Sequence, residues 1–203
     1  MNIFLLIVFA YLYGSIPFSV LVPKFLGVNI MESGSKNPGF TNVLRVCGPG
    51  PGFTCLVLDM TKGFLPAFIA GKMGIPVLGS IFSMQCLAGF IGVLGHCYSP
   101  FLKMKGGKGV AAAGGLIFAL HYLLVLILAA TLILVIAVTQ YMSIASITAA
   151  VVFPIGVYFL YGEPSYCVVP SLYTLFIIFK HRANIKRLLN GTENKFSFGK
   201  KSK

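Results

Sequence analysis

The chain is 203 residues long, 57% hydrophobic and only 10% charged, with a mean hydropathy of +0.91. That balance excludes a soluble globular domain. The net charge of +12 comes mostly from three basic segments, Lys24 to Arg45, Lys103 to Lys108 and Lys180 to Lys203. Basic segments of this kind mark the cytoplasmic loops of a membrane protein, which argues against nucleic acid as a partner.

In chain order, the apolar run near 2–22 is a first crossing. No Lys or Arg precedes it and no A-x-A-like site follows it, so it reads as a helix that stays and not as a cleaved signal. A loop from about 27 to 50, rich in Gly, Asn, Pro and Ser, comes next and contains no obvious secondary structure. Apolar runs near 52–71 and 77–95 form a hairpin, with Gly71 to Pro76 as its turn. The run from 105 to 138 is too long for one crossing, and His121-Tyr122 interrupts it. Split there, it makes two short crossings of roughly 16 to 18 residues each. The segment from Thr139 to Ser143 turns the chain, and runs at 142–161 and 165–180 complete the set around a turn at Gly162 to Ser165.

With the basic segments on one side, these runs predict an all-α integral membrane protein. It has seven transmembrane helices, the N-terminus outside and the C-terminus cytoplasmic. The chain reads as one polytopic domain, 1–203, with a basic tail from about 181 to 203. The Gly/Asn/Ser loop, the lysine loop, Ser143 and the tail then share one membrane face.

Five cysteines, three of them in apolar segments, show no C-x-x-C pairing and imply neither a disulfide framework nor a metal site. The segment Lys103-Met104-Lys105-Gly106-Gly107-Lys108-Gly109 is of another kind. Its glycines allow close backbone approach and its lysines supply charge, a combination suited to a phosphate group. It is not a P-loop, since the spacing differs and Val110 stands where a hydroxyl would follow.

The loop from Glu32 to Arg45 adds hydroxyl and amide donors and the planar fork of Arg45. A loop of that length without structure is uncommon unless it has a function, although turns use the same residue types. Asp59 and Lys62 lie one helical turn apart at membrane depth. They suit a local ion pair or a support for Lys108 or Arg45. His96 and His181 each stand beside a basic segment, as a proton acceptor or a hydrogen-bonding partner, and Asn184 follows His181 at helical spacing. Only four carboxylates occur, with no nucleophile elbow and no H-x-x-x-x-D pair. Chemistry on this chain must therefore rely on positioning and charge stabilisation, with a substrate that arrives activated.

Five segments in order resemble the bacterial acyl-phosphate:glycerol-3-phosphate acyltransferases, the PlsY family. They are Gly14-Ser15-Ile16-Pro17-Phe18, Gly34 to Arg45 (G-S-G-N-P-G-A-T-N-V-L-R in the family), and Asp59-Met60-Thr61-Lys62-Gly63. The others are Gly95-His96 to Gly115 with its K-G-G-K-G core, and His181 onward (H-R-x-N-I-K-R-L-x-x-G-T-E). The resemblance covers nearly the whole chain.

It implies transfer of a fatty acyl group from acyl phosphate to the 1-hydroxyl of glycerol 3-phosphate, giving lysophosphatidic acid and inorganic phosphate without a covalent intermediate. It implies a multi-pass protein of the bacterial inner membrane with a cytoplasm-facing site. It implies membrane lipids as surroundings and no cofactor, metal or obligate protein partner. Carried over by position, His181, Asn184, Ser35 and Lys108 serve the chemical step. Asn37, Arg45, Lys105, Gly106, Gly107, Gly109 and Ser143 hold phosphate.

The chain departs from the family pattern at several positions. Lys36 stands for Gly, Phe40 for Ala and Ala183 for Glu, and Asn29, Met31 and Gln140 also differ. Lys36 is expected to strain a backbone kept open for positive φ, and Phe40 to fill a tight loop. The alternatives to an active member are a paralogue with altered or lost activity and a transporter of anions or lipids.

Overall fold

The computed structural model describes residues 2–77 and 80–196. The last part of the basic tail, 197–203, lies outside the described residues. Among the described residues the regular structure is helical, apart from one isolated bridge between Val77 and Ser80.

The first apolar run forms α1 (Ile3–Gly14) and α2 (Phe18–Phe25). Pro17 divides them because it supplies no amide to continue the ladder. Together they make one apolar span, Ile3–Phe25. The loop that follows is not wholly irregular. It contains α3 (Phe40–Cys47), which buries Asn42, Val43 and Leu44. The surrounding Gly and Pro residues hide that short amphipathic helix from the apolar pattern.

Next come α4 (Pro49–Met73) and α5 (Ile81–Cys97), separated by a turn in which Gly74 takes the left-handed conformation. The long run does break at His121, which ends α6 (Val110–Leu120) and caps α7 (Tyr122–Thr139). The two pieces are unequal, 11 and 18 residues, where two near-equal crossings were expected. At about 1.5 Å per residue, α6 alone falls well short of a roughly 30 Å hydrocarbon layer. It starts late because Lys103 to Gly109 is held in a non-helical turn ending at Gly109, φ +90°.

Gln140 provides a left-handed turn into α8 (Met142–Tyr161), and Gly162 another, before a 3-10 turn (Pro164–Cys167). Then come α9 (Val168–Lys180) and α10 (Arg182–Leu189). Among the described residues, four helical stretches are long and apolar enough to cross a membrane: Ile3–Phe25, Pro49–Met73, Tyr122–Thr139 and Met142–Tyr161. Val110–Leu120 and Pro164–Lys180 are shorter apolar helices.

Small residues set the helix packing. A Cβ on Gly63 would meet the Ala112 carbonyl oxygen at 2.0 Å, and one on Gly115 would meet that of Met60 at 1.7 Å. This close contact of α4 with α6 is the small-residue packing used where lipid removes the hydrophobic drive between helices. Phe82, Val93, Leu124, Phe153, Tyr173 and Ile177 fill the largest buried apolar cluster. Phe25, Val138 and Phe159 are more than four-fifths exposed, as expected of an outer surface facing lipid.

Candidate functional site

The lysine loop is held by the ends of two helices. Gly106 N–H donates to the Cys97 carbonyl and Gly107 N–H to that of His96, each at 3.2 Å. From α9, Lys180 Nζ donates to the same Cys97 carbonyl at 3.4 Å and lies over the Tyr98 ring. The Tyr173 hydroxyl donates to the Gly109 carbonyl at 3.4 Å. The amides of Gly106 and Gly107 thus tie the loop to α5, where the sequence reading had them facing phosphate. Lys108 follows that tie and stands just before the start of α6, whose first turn has no side-chain cap.

Lys108 lies among charges drawn from three other segments. Glu193 raises its pKa, while Arg187, Arg45 and Lys180 lower it. Burial outweighs these and pushes Lys108 down to about 8. Its ammonium form is therefore still dominant at neutral pH.

His181 is buried between α9 and α10, and its Nδ1 lies 2.8 Å from the Ile177 carbonyl. A carbonyl only accepts, so Nδ1 carries the proton and Nε2 presents a lone pair. Burial first, and the Lys108 charge second, push its pKa down to about 4. The ring is neutral near pH 7 and is a weak base.

One helical turn on, Asn184 is 5% exposed and donates through Nδ2 to Glu193 Oε1 at 2.6 Å. Arg187 Nε donates to the other Glu193 oxygen at 2.7 Å. These partners keep the Glu193 carboxyl below its usual range, against the opposing effect of burial. The Ser143 hydroxyl is buried and close enough to help stabilise that carboxylate. Among the described residues it has no hydrogen-bond partner of normal geometry. The tail beyond Glu193 is held where Phe196 N–H donates to the Gln140 carbonyl at 2.7 Å.

Arg45 belongs to the same electrostatic cluster, where Glu193 partly offsets the effect of its burial. Its helix is anchored by Asn42, which is 2% exposed. Asn42 Oδ1 accepts from Ser35 N–H at 2.8 Å, and Nδ2 donates to the Ser33 carbonyl at 3.0 Å. Asn42 therefore shapes the turn that carries Ser35 and Lys36. Ser35 and Lys105 are exposed and Asn37 is half-buried.

Lys36 has φ +57°, so the strain expected of a side chain at that position is present. The Phe40 ring packs on Phe53 of α4 at 5.8 Å between centroids.

Asp59 and Lys62 do form a local ion pair, at 2.6 Å and almost fully buried. Ser19 Oγ donates to the second Asp59 oxygen at 2.5 Å. His96 Nδ1 lies 3.2 Å from Lys62 Nζ and 3.5 Å from Asp59 Oδ1. Sequence reasoning missed Asn42, Arg187 and Glu193 as organising residues. The available signal was the scarcity of acid, since Glu193 is one of only four carboxylates in the chain.

An apolar helical bundle with cations, amides and a neutral histidine gathered at one site defines a membrane enzyme or binder acting on anions. The family model described as glycerol-3-phosphate acyltransferase matches residues 4–191. A glycerol-3-phosphate acyltransferase of Fusobacterium nucleatum is 41% identical over 199 residues, covering 98% of this chain and 100% of the relative. One of Geobacillus kaustophilus is 42% identical over 200 residues, covering 98% of each chain.

Two crystal structures of PlsY (YgiH), an integral membrane glycerol 3-phosphate acyltransferase, share the fold at 36% identity. They cover 96% of this chain and 95% of the other. The glycerol 3-phosphate form superposes with a TM-score of 0.87 and the lysophosphatidic acid form with 0.86. The chain belongs to the PlsY family of glycerol-3-phosphate acyltransferases and is a multi-pass membrane protein.

Proposed function

We propose that this enzyme transfers a fatty acyl group from acyl phosphate to the 1-hydroxyl of glycerol 3-phosphate, releasing lysophosphatidic acid and inorganic phosphate. The observation that carries the reading is the convergence of Arg45, Lys108 and Arg187 with Asn184 and neutral His181 around a single carboxylate. Such a set suits phosphate oxygens, and acyl phosphate needs no enzyme nucleophile because its leaving group is already good.

In the proposed step the glycerol 1-hydroxyl oxygen bonds to the acyl carbonyl carbon, and the bond from that carbon to the phosphate oxygen breaks. Lys108 and Arg45 balance the charge on the phosphates, joined by Lys105, Asn37 and Ser35 from the neighbouring loops. Asn184 and Ser143 contribute neutral donors, and Gly106, Gly107 and Gly109 shape the turn that presents Lys108. The hydroxyl proton passes to His181 Nε2 or to a phosphate oxygen of the substrate. No cofactor, metal or obligate protein partner enters the scheme.

We place the site at the cytoplasmic face of the bacterial inner membrane, in a single domain of seven crossings with the N-terminus outside. The clustering of basic segments supports this orientation. The seventh crossing requires the short α6 and α7 to act as separate crossings. The donor assignment is tested with purified protein in lipid, labelled glycerol 3-phosphate, and either acyl phosphate or acyl-CoA. Acylation with acyl phosphate alone is expected; acylation with acyl-CoA alone would refute the donor.

A further inference from the structure

Below the lysine loop lies a polar cluster that the transfer step does not use. Asp59 is fully buried, Lys62 is 2% exposed and His96 is 7% exposed. They come from α4 and α5, and Ser19 of α2 completes the cluster through Asp59. Lys62 also lies over the Phe18 ring, 5.1 Å from its centroid. These residues, with Ser15, Ser99, Pro38 and Gly107, line a cavity with room for about one water molecule.

His96 Nδ1 faces the buried pair, 3.2 Å from Lys62 Nζ and 3.5 Å from Asp59 Oδ1, and the opposite ring nitrogen is Nε2. That nitrogen faces the lysine loop. A Cβ on Gly107 would meet His96 Nε2 at 2.2 Å and the Pro38 carbonyl oxygen at 2.7 Å. The main chain of His96 holds the same glycine through its carbonyl. His96 thus touches Gly107 from both its ring and its backbone. Pro38, which follows Asn37, closes the same contact.

Resting on the proposed function, we infer that His96, fixed by the Asp59–Lys62 pair, is a positioning residue that sets the Gly106–Gly107 turn against Pro38. It thereby sets the places of Lys108 and Asn37 at the substrate phosphates. A purely structural role would need only that the buried Lys62 and Asp59 keep a partner. A positioning role needs the reach of the ring to Gly107. Two replacements separate these requirements. His96→Asn keeps an amide near the Nδ1 position but falls short of the loop. His96→Gln extends an amide toward the Nε2 position.

The experiment measures KM for glycerol 3-phosphate and kcat for the full-length enzyme in lipid, per folded protein, beside wild type. His96→Asn is expected to raise KM on the order of 10-fold, with His96→Gln close to wild type. Full recovery by Asn, or unchanged KM in both variants, overturns the inference. If wild type forms no product, the functional reading fails separately. The positioning claim is then read from binding of inorganic phosphate. Weaker binding in His96→Asn than in His96→Gln supports the claim, and equal binding refutes it.

Discussion

Asn184 Nδ2 donates to Glu193 Oε1 at 2.6 Å, and Arg187 holds the second oxygen of the same carboxylate at 2.7 Å. One tail residue thereby fixes an amide and a guanidinium from two turns of α10 beside Lys108 and His181. Without substrate, Glu193 is the counter-charge that allows several cations to share a small space. Its negative charge also raises the Lys108 pKa.

Glu193→Gln is therefore expected to move the alkaline limb of kcat/KM to lower pH. In wild type the Lys108 ammonium is lost as pH rises through about 8. Removing a neighbouring negative charge favours the neutral amine further, so that loss begins earlier. A pH profile of kcat/KM checks the direction of the shift.

His181 gives the opposite edge. With a pKa of about 4, its Nε2 lone pair is available throughout the neutral range and is lost only in acid. The profile of wild type should show no fall near pH 6.5 that belongs to this ring. His181→Ala is expected to lower kcat by about 100-fold or more if Nε2 accepts the proton. Turnover kept at the wild-type level would assign the proton to a substrate phosphate oxygen.

Lys36→Gly should stabilise the protein by up to about 1 kcal/mol, since glycine adopts the left-handed backbone without a Cβ clash. Phe40→Ala should destabilise it through loss of the Phe53 contact, by about 0.5–1.5 kcal/mol. Thermal unfolding in detergent reads both effects. Because Lys36 is exposed and Phe40 faces α4, neither change is expected to alter kcat more than about twofold.

The apolar runs made most helices legible, and the polar dipeptide at His121-Tyr122 marked the break between α6 and α7. The eight-residue α3 escaped notice because Gly39 and Gly48 bound it, and its buried face is only Asn42, Val43 and Leu44. Lys108, His181, Asn184 and Arg45 were legible as candidates from residue type and motif order. The use of the Gly106 and Gly107 amides was not legible, because their acceptors are main-chain carbonyls of α5, which no side-chain pattern reveals. Glu193 was equally hidden, since its role depends on a turn that folds it back onto α10.

The central claim is acyl transfer from acyl phosphate at the Lys108 cluster, and product stoichiometry tests it most directly. Purified protein in liposomes is given acyl phosphate and labelled glycerol 3-phosphate, with lysophosphatidic acid and inorganic phosphate measured together. The account predicts that the two appear in equal amounts and that Lys108→Met abolishes both. Labelled glycerol 3-phosphate collecting unchanged inside the vesicles, with no lysophosphatidic acid formed, would contradict it.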